Sequence, residues 1–403
     1  MPNLKNFKLP KRKKQNRQAT ATTVFSAVVK DMASDGRGVV ADPTGIVYFV
    51  RGVWLGEKGE FEIIDTQSRP RQAKLVTIIE ASEQRVKPKC AHFGLTQNDC
   101  GGCSWQFMAY DAQLVEKKRH IQAMLSAVLK RPIKKLPVYD VIPSPSEYGY
   151  RNRAQFKTDG KEIGFLAHKS SDLIKVVQCP VVVPAIQTQL DALRESLPYN
   201  RWLPTKKNPL TTLNIDETTT VDSIKVNERL PFKQGNTTQN THMQHWLAST
   251  LEKIGKVPLS VELFCGSGNF TSLLAQHSDQ VLAFEGDSDA VKFVASQATL
   301  PNVTAQCLDL YAQQGIERAG FLANKAEVLV LDPPRAGFKF AKEFVHKARA
   351  LKTIVYISCD VATFTRDAAI LCENGFDIDA VQPVDQFPQT PHVEILAVFT
   401  KNI

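Results

Sequence analysis

The chain is expected to be an α/β protein: a doubly wound parallel sheet preceded by a small β-barrel and a mixed α+β region. From about residue 231 onward, apolar runs at 259–264, 280–284, 303–307, 328–331 and 353–357 alternate with helix-length stretches, as parallel strands with crossover helices do. Gly266 and Gly268 directly follow the first of these runs, where a tight turn lets a ligand approach backbone N–H groups at a helix start. Short β-like runs at 24–29, 38–41, 46–50 and 59–65 are separated by glycine turns, the spacing of a small barrel.

At 403 residues there is room for two or three domains with substantial cores. No apolar run approaches the ~18 residues of a membrane span, and no signal-like apolar stretch follows the basic start, so a cytoplasmic protein is expected. Eight cysteines spread through so long a chain argue against a disulfide scaffold and are better sought as ligands or a nucleophile. The net charge of +9 favours an anionic partner.

Residues 1–20 carry Lys5, Lys8, Lys11, Arg12, Lys13, Lys14 and Arg17 with no acid, which reads as a basic arm meeting phosphates or as a merely solvated tail. Residues 21–85 make the barrel. Residues 86–230 hold four cysteines, a helical periodicity at 105–129 and strand patterns at 148–165 and 173–183. Within them, YRNRAQFK interleaves Arg151, Arg153 and Lys157 with Tyr150 and Phe156, so an RNA loop could find stacking and charge together; the alternative is an amphipathic strand with a solvated basic side. Residues 231–403 form the doubly wound sheet, closed by an antiparallel hairpin of the runs 376–384 and 393–399.

Chemistry concentrates in a few strings. Glu285 ends the second run of the sheet 19 residues after Gly266, a spacing at which an acid accepts ribose hydroxyls. A third glycine is absent, which favours a cofactor without a pyrophosphate. LDPPRAGF places Asp332 in a proline-rigid turn after a strand. ISCD places Cys359 between a strand and a helix pattern at 361–371, and a helix N-terminus lowers a thiol pKa. PHVE places Glu394 at the start of the last strand. Singly, each has a plain alternative: a structural turn, a buried inert cysteine, a solvated glutamate. Cys265, Cys307 and Cys372 lack such context and read as core residues. Cys90, Cys100 and Cys103 form C-x9-C-x2-C, with Cys179 following in VVQCP; four thiolates can hold zinc or an iron–sulfur cluster, and on spacing alone zinc is the commoner answer.

LDPPRAG, SCD and HVE in that order, with the glycine turn, resemble the RNA 5-methyluridine methyltransferase family, and the likeness extends along most of the chain. It implies a class I methyltransferase domain at 231–403. The run DGRGVVADPTGIVYFVRGVWLGEKGEFEI resembles a TRAM domain, an OB-like RNA-binding barrel. The CGGC string and the distant cysteine before proline resemble the family's 4Fe–4S site, with Cys90, Cys100, Cys103 and Cys179 as ligands in a structural role. The first gap is longer than in most members.

Further implied by the resemblance are S-adenosylmethionine, bound by Gln234, Phe264, Asn269, Glu285, Asp309 and Asp332, and a covalent mechanism. Asp309 has a second reading as a helix N-cap. Uracil C5 needs activation, and addition of the Cys359 thiolate at C6 provides it, with Asp332 orienting the base and Glu394 removing the C5 proton. The substrate is then an unstacked uridine. Ribosomal 23S RNA is favoured over tRNA, and a monomer is expected. The rival of another class is a noncatalytic RNA-binding protein on the same fold. Asp360-Val361 replaces the asparagine–proline frequent after the family cysteine, and an aspartate there raises the thiol pKa slightly.

Overall fold

The computed structural model describes residues 23–67, 69–205, 208–228, 230 and 232–402; the basic arm expected at 1–20 lies outside the described residues. One compact unit takes Gly38–Ala81 and the described chain up to Asp31. The second takes Met32–Arg37 and the chain from Ser82 onward.

The first unit is built on β1 (Val24–Val28), β2 (Asp31–Met32), β3 (Gly38–Ala41), β4 (Val47–Val50), β5 (Lys58–Asp65) and β6 (Gln72–Glu80), in the spatial order β1-β5-β6-β4-β3-β2. Beyond β1, which pairs with β5, the Lys30 N–H donates to the Val39 carbonyl of β3 at 2.9 Å, so one bent run closes the sheet into a small barrel. Its inside is aromatic: the Phe25 ring lies 5.4 Å from Tyr48 and 5.7 Å from Phe61, all three buried. The sequence pattern misses β6, where Ala73 is the only buried residue and no apolar alternation exists.

In the second unit, α1 (Tyr110–Leu129) precedes an antiparallel sheet. That sheet holds β7 (Arg153–Thr158), β8 (Ile163–Leu166), β9 (Leu173–Lys175), β10 (Thr211–Asp216) and β11 (Lys225–Val226), with α2 (Pro184–Glu195) inserted after β9. The order is β11-β10-β7-β8-β9, and Phe156, Ile186, Leu190, Trp202 and Leu213 pack as its core. Only 110–129 of the helix expected at 105–129 is helical, and only 173–175 of the strand expected at 173–183 is β.

The chain continues through α3 (Thr237–Ile254), β12 (Val257–Leu263), α4 (Thr271–Gln276), β13 (Ser278–Glu285), α5 (Ser288–Ala295) and β14 (Val303–Cys307). Then come α6 (Gln313–Leu322), β15 (Val328–Leu331), α7 (Ala341–Lys347), β16 (Thr353–Ser358), α8 (Val361–Glu373), β17 (Phe376–Val384) and β18 (Glu394–Lys401). The seven strands lie in the order β14-β13-β12-β15-β16-β18-β17; the first five run parallel and the last two form an antiparallel hairpin. Every residue of β15 and β16 is buried, because helices cover both faces. The pleat divides them: Leu329, Leu331, Ile354 and Tyr356 pack with α1, α6, α7 and α8, while Val328, Val330, Val355 and Ile357 pack with α3 and α4. Among the described residues no helix is long and apolar enough to cross a membrane.

A buried ion pair ties α1 to the segment joining β17 and β18. Lys117 Nζ lies 2.5 Å from Asp385, both side chains fully buried, and the Tyr110 hydroxyl donates to the second Asp385 oxygen at 2.7 Å. Gln239 of α3 donates to the Asp385 carbonyl at 2.9 Å, so helices from both faces fix this link.

Candidate active site

The site follows from strand register. Leu331 pairs with Tyr356 and Ser358 with Ile395, so one step further puts Asp332 and Cys359 at the ends of neighbouring parallel strands and Cys359 opposite Glu394. Leu263 pairs with Leu331, which sets Phe264 beside Asp332. All these groups lie along the carboxyl edge of the sheet. The strand order reverses between β12 and β15, which is where open α/β sheets hold ligands.

The turn after β12 has three residues in the left-handed region: Phe264 (φ +61°), Gly266 (+52°) and Gly268 (+87°). A Cβ on Gly266 would meet nothing within 4 Å, so open space faces this turn. Glu285 is anchored by backbone: Oε2 accepts from Gly266 N–H at 3.0 Å, and Oε1 from Gly286 and Asp287 N–H at 2.7 and 3.0 Å. Asn269 exchanges hydrogen bonds with Asn240 at 2.9 and 3.0 Å. Buried Gln234 accepts at its side-chain oxygen from Gln386 at 2.9 Å, and its carbonyl accepts from Asn152. Exposed Asp309 accepts from Tyr311 N–H at 2.9 Å, whereas α6 is preceded by Ala312 as its cap, so the N-cap reading of Asp309 does not hold. An open glycine turn, an anchored acid and amide side chains fit an adenosine cofactor without a pyrophosphate.

Two residues of this region carry no signal in the sequence. Glu262 is buried beneath the turn, takes a hydrogen bond from the Thr271 hydroxyl at 2.6 Å, and has its carboxyl pushed up to about 8 by burial. Tyr311 places its ring 5.6 Å from Phe264. Buried acids and loop aromatics have no periodicity to reveal them.

Around Cys359 the charges are mixed. Burial pushes Glu394 up to about 8, with the Asp332 carboxylate adding to the shift and Arg335 opposing it. Burial alone pushes Asp332 up to about 7. The Cys359 thiol is pushed up to about 12 by burial first, then by Glu394 and Asp332, while Arg335 pulls it down. The lowered thiol pKa expected from the helix N-terminus is therefore overturned, since two carboxylates and desolvation outweigh it. Asp360 is the N-cap of α8, accepting from Thr363 N–H at 2.9 Å, and its effect on the thiol comes last among the causes. Of the rival cysteines, Cys265 is buried and Cys372 half-buried, but Cys307 is exposed and is not the core residue expected.

Cys90, Cys100, Cys103 and Cys179 are each half-buried. Burial and then one another's charge raise the first three, Cys100 to about 11 and Cys103 to about 12. Buried Gln106 links two of them, accepting from Cys90 N–H at 3.1 Å and donating to the Cys103 sulfur, which pulls that thiol down. Each of the first three feels the charge of Cys179, so the thiols lie in one region, but no three His, Cys, Asp or Glu side chains among the described residues are grouped closely enough to hold a metal ion.

The stacking role expected of Tyr150 and Phe156 fails. Phe156 is wholly buried in the antiparallel sheet, and Tyr150 is buried with its hydroxyl donating to the Pro388 carbonyl at 2.9 Å. Arg151 remains exposed ahead of β7, and Arg153 reaches the Lys233 carbonyl at 3.5 Å, next to Gln234.

The fold and the carboxyl-edge site define a class I methyltransferase-like α/β protein. A model of the tRNA (uracil-5-)-methyltransferase family matches residues 205–402. An uncharacterized RNA methyltransferase of Nitrosomonas europaea is 40% identical over 94% of this chain and 97% of its own length. A 23S rRNA (uracil(1939)-C(5))-methyltransferase of Pseudomonas syringae pv. tomato is 30% identical over 92% of each chain. The chain belongs to the RNA 5-methyluridine methyltransferase family. In fold it is similar to the tRNA (uracil-54, C5)-methyltransferase of Pyrococcus abyssi, solved with S-adenosyl-L-homocysteine, at a TM-score of 0.64 and 20% identity over 93% of this chain and 100% of that one.

Proposed function

We propose that the protein methylates C5 of a uridine in structured RNA, 23S rRNA in first place, with S-adenosylmethionine as methyl donor. The observation that carries this is the register setting Cys359 opposite Glu394, with Asp332 on the next strand. Bound along the carboxyl edge by Gln234, Phe264, Asn269, Glu285, Asp309 and Asp332, S-adenosylmethionine supplies an electrophilic methyl group. The Cys359 thiol, half-buried, gives its proton to solvent as its sulfur adds to uracil C6, and the C5=C6 electron pair moves through C5 to the carbonyl oxygen as an enolate. Asp332 orients the base edge. After C5 has accepted the methyl group, Glu394 takes the C5 proton, the C5=C6 double bond re-forms and the sulfur departs.

In the same reading the barrel unit is a TRAM-like RNA-binding domain. Cys90, Cys100, Cys103 and Cys179 would hold a 4Fe–4S cluster that would tie the central region together and take no part in the chemistry, a reading supported by the CGGC string and the cysteine before Pro180. The domain assignment is 21–85, 86–230 and 231–403, behind a basic arm at 1–20, acting in the cytoplasm.

The test is to map 5-methyluridine in ribosomal and transfer RNA from cells with and without the gene. Loss of a 23S rRNA modification is expected. Loss confined to tRNA would select the second reading, a tRNA methyltransferase, and loss from neither would overturn the proposal.

A further inference from the structure

The short segment after Arg335 is held on every side by polar groups outside the proposed chemistry. Asp367 of α8, fully buried, receives on Oδ2 the Phe338 N–H at 2.5 Å and the Tyr356 hydroxyl at 2.7 Å. Its other oxygen receives the Arg366 Nε at 2.8 Å, and the same guanidinium donates through Nη2 to the Ala336 carbonyl at 2.9 Å. Tyr311 donates its hydroxyl to the Gly337 carbonyl at 3.1 Å while its ring faces Phe264. Gly337 adopts φ +74°, and a Cβ there would lie 2.5 Å from the Asp367 carboxylate and 2.6 Å from the Arg366 guanidinium, so the fit tolerates only glycine.

This arrangement joins two parts of the site. Helix α8 starts two residues after Cys359, and the clamped segment starts one residue after Arg335, which acts on both Cys359 and Glu394. We propose that Asp367, assisted by Arg366 and Tyr311, is a positioning residue that holds the loop bearing Asp332 and Arg335 in register with Cys359. The proposal rests on the uracil-C5 reading above. Through Tyr311 the same loop is also tied to Phe264, so the cofactor turn and the reactive loop share one support.

The experiment measures covalent capture of 5-fluorouridine-containing RNA in the presence of S-adenosylmethionine, alongside binding of S-adenosylhomocysteine and the melting temperature. In Asp367→Asn, which keeps the side-chain volume, the capture rate should fall about tenfold while S-adenosylhomocysteine affinity falls by a clearly smaller factor, no more than about threefold, because Asp332 is one of six residues proposed to hold the cofactor. Arg366→Gln should show the same split between rate and affinity. The double variant should fall little further than the worse single one, because both groups hold the same segment. Capture at the wild-type rate in both single variants, or a loss of affinity equal to the loss of rate, would overturn the positioning role. If wild-type protein captures no RNA at all, the functional reading fails first, and the two failures are thereby distinguished.

Discussion

Cys359 and the set Cys90, Cys100, Cys103 and Cys179 are half-buried thiols in one compact unit, yet their surroundings direct them oppositely. Cys359 stands at the end of a fully buried strand, faced by Glu394, Asp332 and Arg335. There the two carboxylates push the thiol up and the guanidinium pulls it down. The other cysteines sit in loops and face mainly one another, with Gln106 as a neutral brace. In the proposed function, thiols that raise one another in this way would gain by sharing a cation. Neighbours, more than burial, separate the proposed nucleophile from the proposed ligands.

The sharpest way to break this comparison is to remove sulfur from each region. Cys359→Ala should abolish capture of 5-fluorouridine RNA and lower turnover at least ~10⁴-fold. Cys103→Ser should leave capture detectable while the anaerobically purified protein loses its brown colour and acid-labile sulfide. One zinc and no sulfide in the wild-type protein would remove the cluster from the picture.

Next in size is the carboxylate. Glu394→Gln should lower turnover about 10²- to 10⁴-fold and accumulate the methylated adduct. The same variant sharpens the electrostatic side. A folded carboxyl raised from 4.5 to about 8 gives stability that is present at low pH and lost as pH rises through about 8. Wild-type protein should therefore lose melting temperature between about pH 4.5 and 8 more steeply than Glu394→Gln, and parallel curves would refute the shift.

The buried pair offers a purely structural control. Lys117→Met leaves Asp385 buried without its cation and should cost about 3–5 kcal/mol in a denaturant titration, with Cys359 still reactive in the folded fraction. The smallest effect belongs to the arginines. With Tyr150 and Phe156 buried, Arg151→Ala plus Arg153→Ala should weaken RNA binding only about fivefold and flatten its salt dependence. Equal affinity before and after would return this stretch to an ordinary surface.

Much of the sheet was legible because β14, β15 and β17 are strand-length apolar or alternating runs, and their observed bounds coincide with the sequence pattern. Strand β10, TTLNID, was not, since four of its six residues are polar and its partner β7 makes it a strand. Among site residues, Asp332, Cys359 and Glu394 were visible through their strings, and the register then brought them together. Asp367, Lys117, Gln106 and Glu262 were invisible, because a charged or amide side chain is assigned to the surface until its buried partner is known. Tyr150 and Phe156 failed for a related reason: alternation shows that a strand has two faces, without telling which one is covered.

The antiparallel direction of β18 has a consequence in time. Strand β16 lies between β15 and β18, so until β18 pairs with it, one border of six apolar-environment residues has open hydrogen-bonding groups. On a ribosome adding ~5–20 residues per second, Cys359 emerges seconds ahead of Glu394. During that interval the nascent chain presents an unfinished sheet border, the kind of edge that recruits foreign strands. Arrival of β18 covers that border and sets Glu394 opposite Cys359 in the same step, so the proposed reactive pair forms only when the chain has ceased to be sticky.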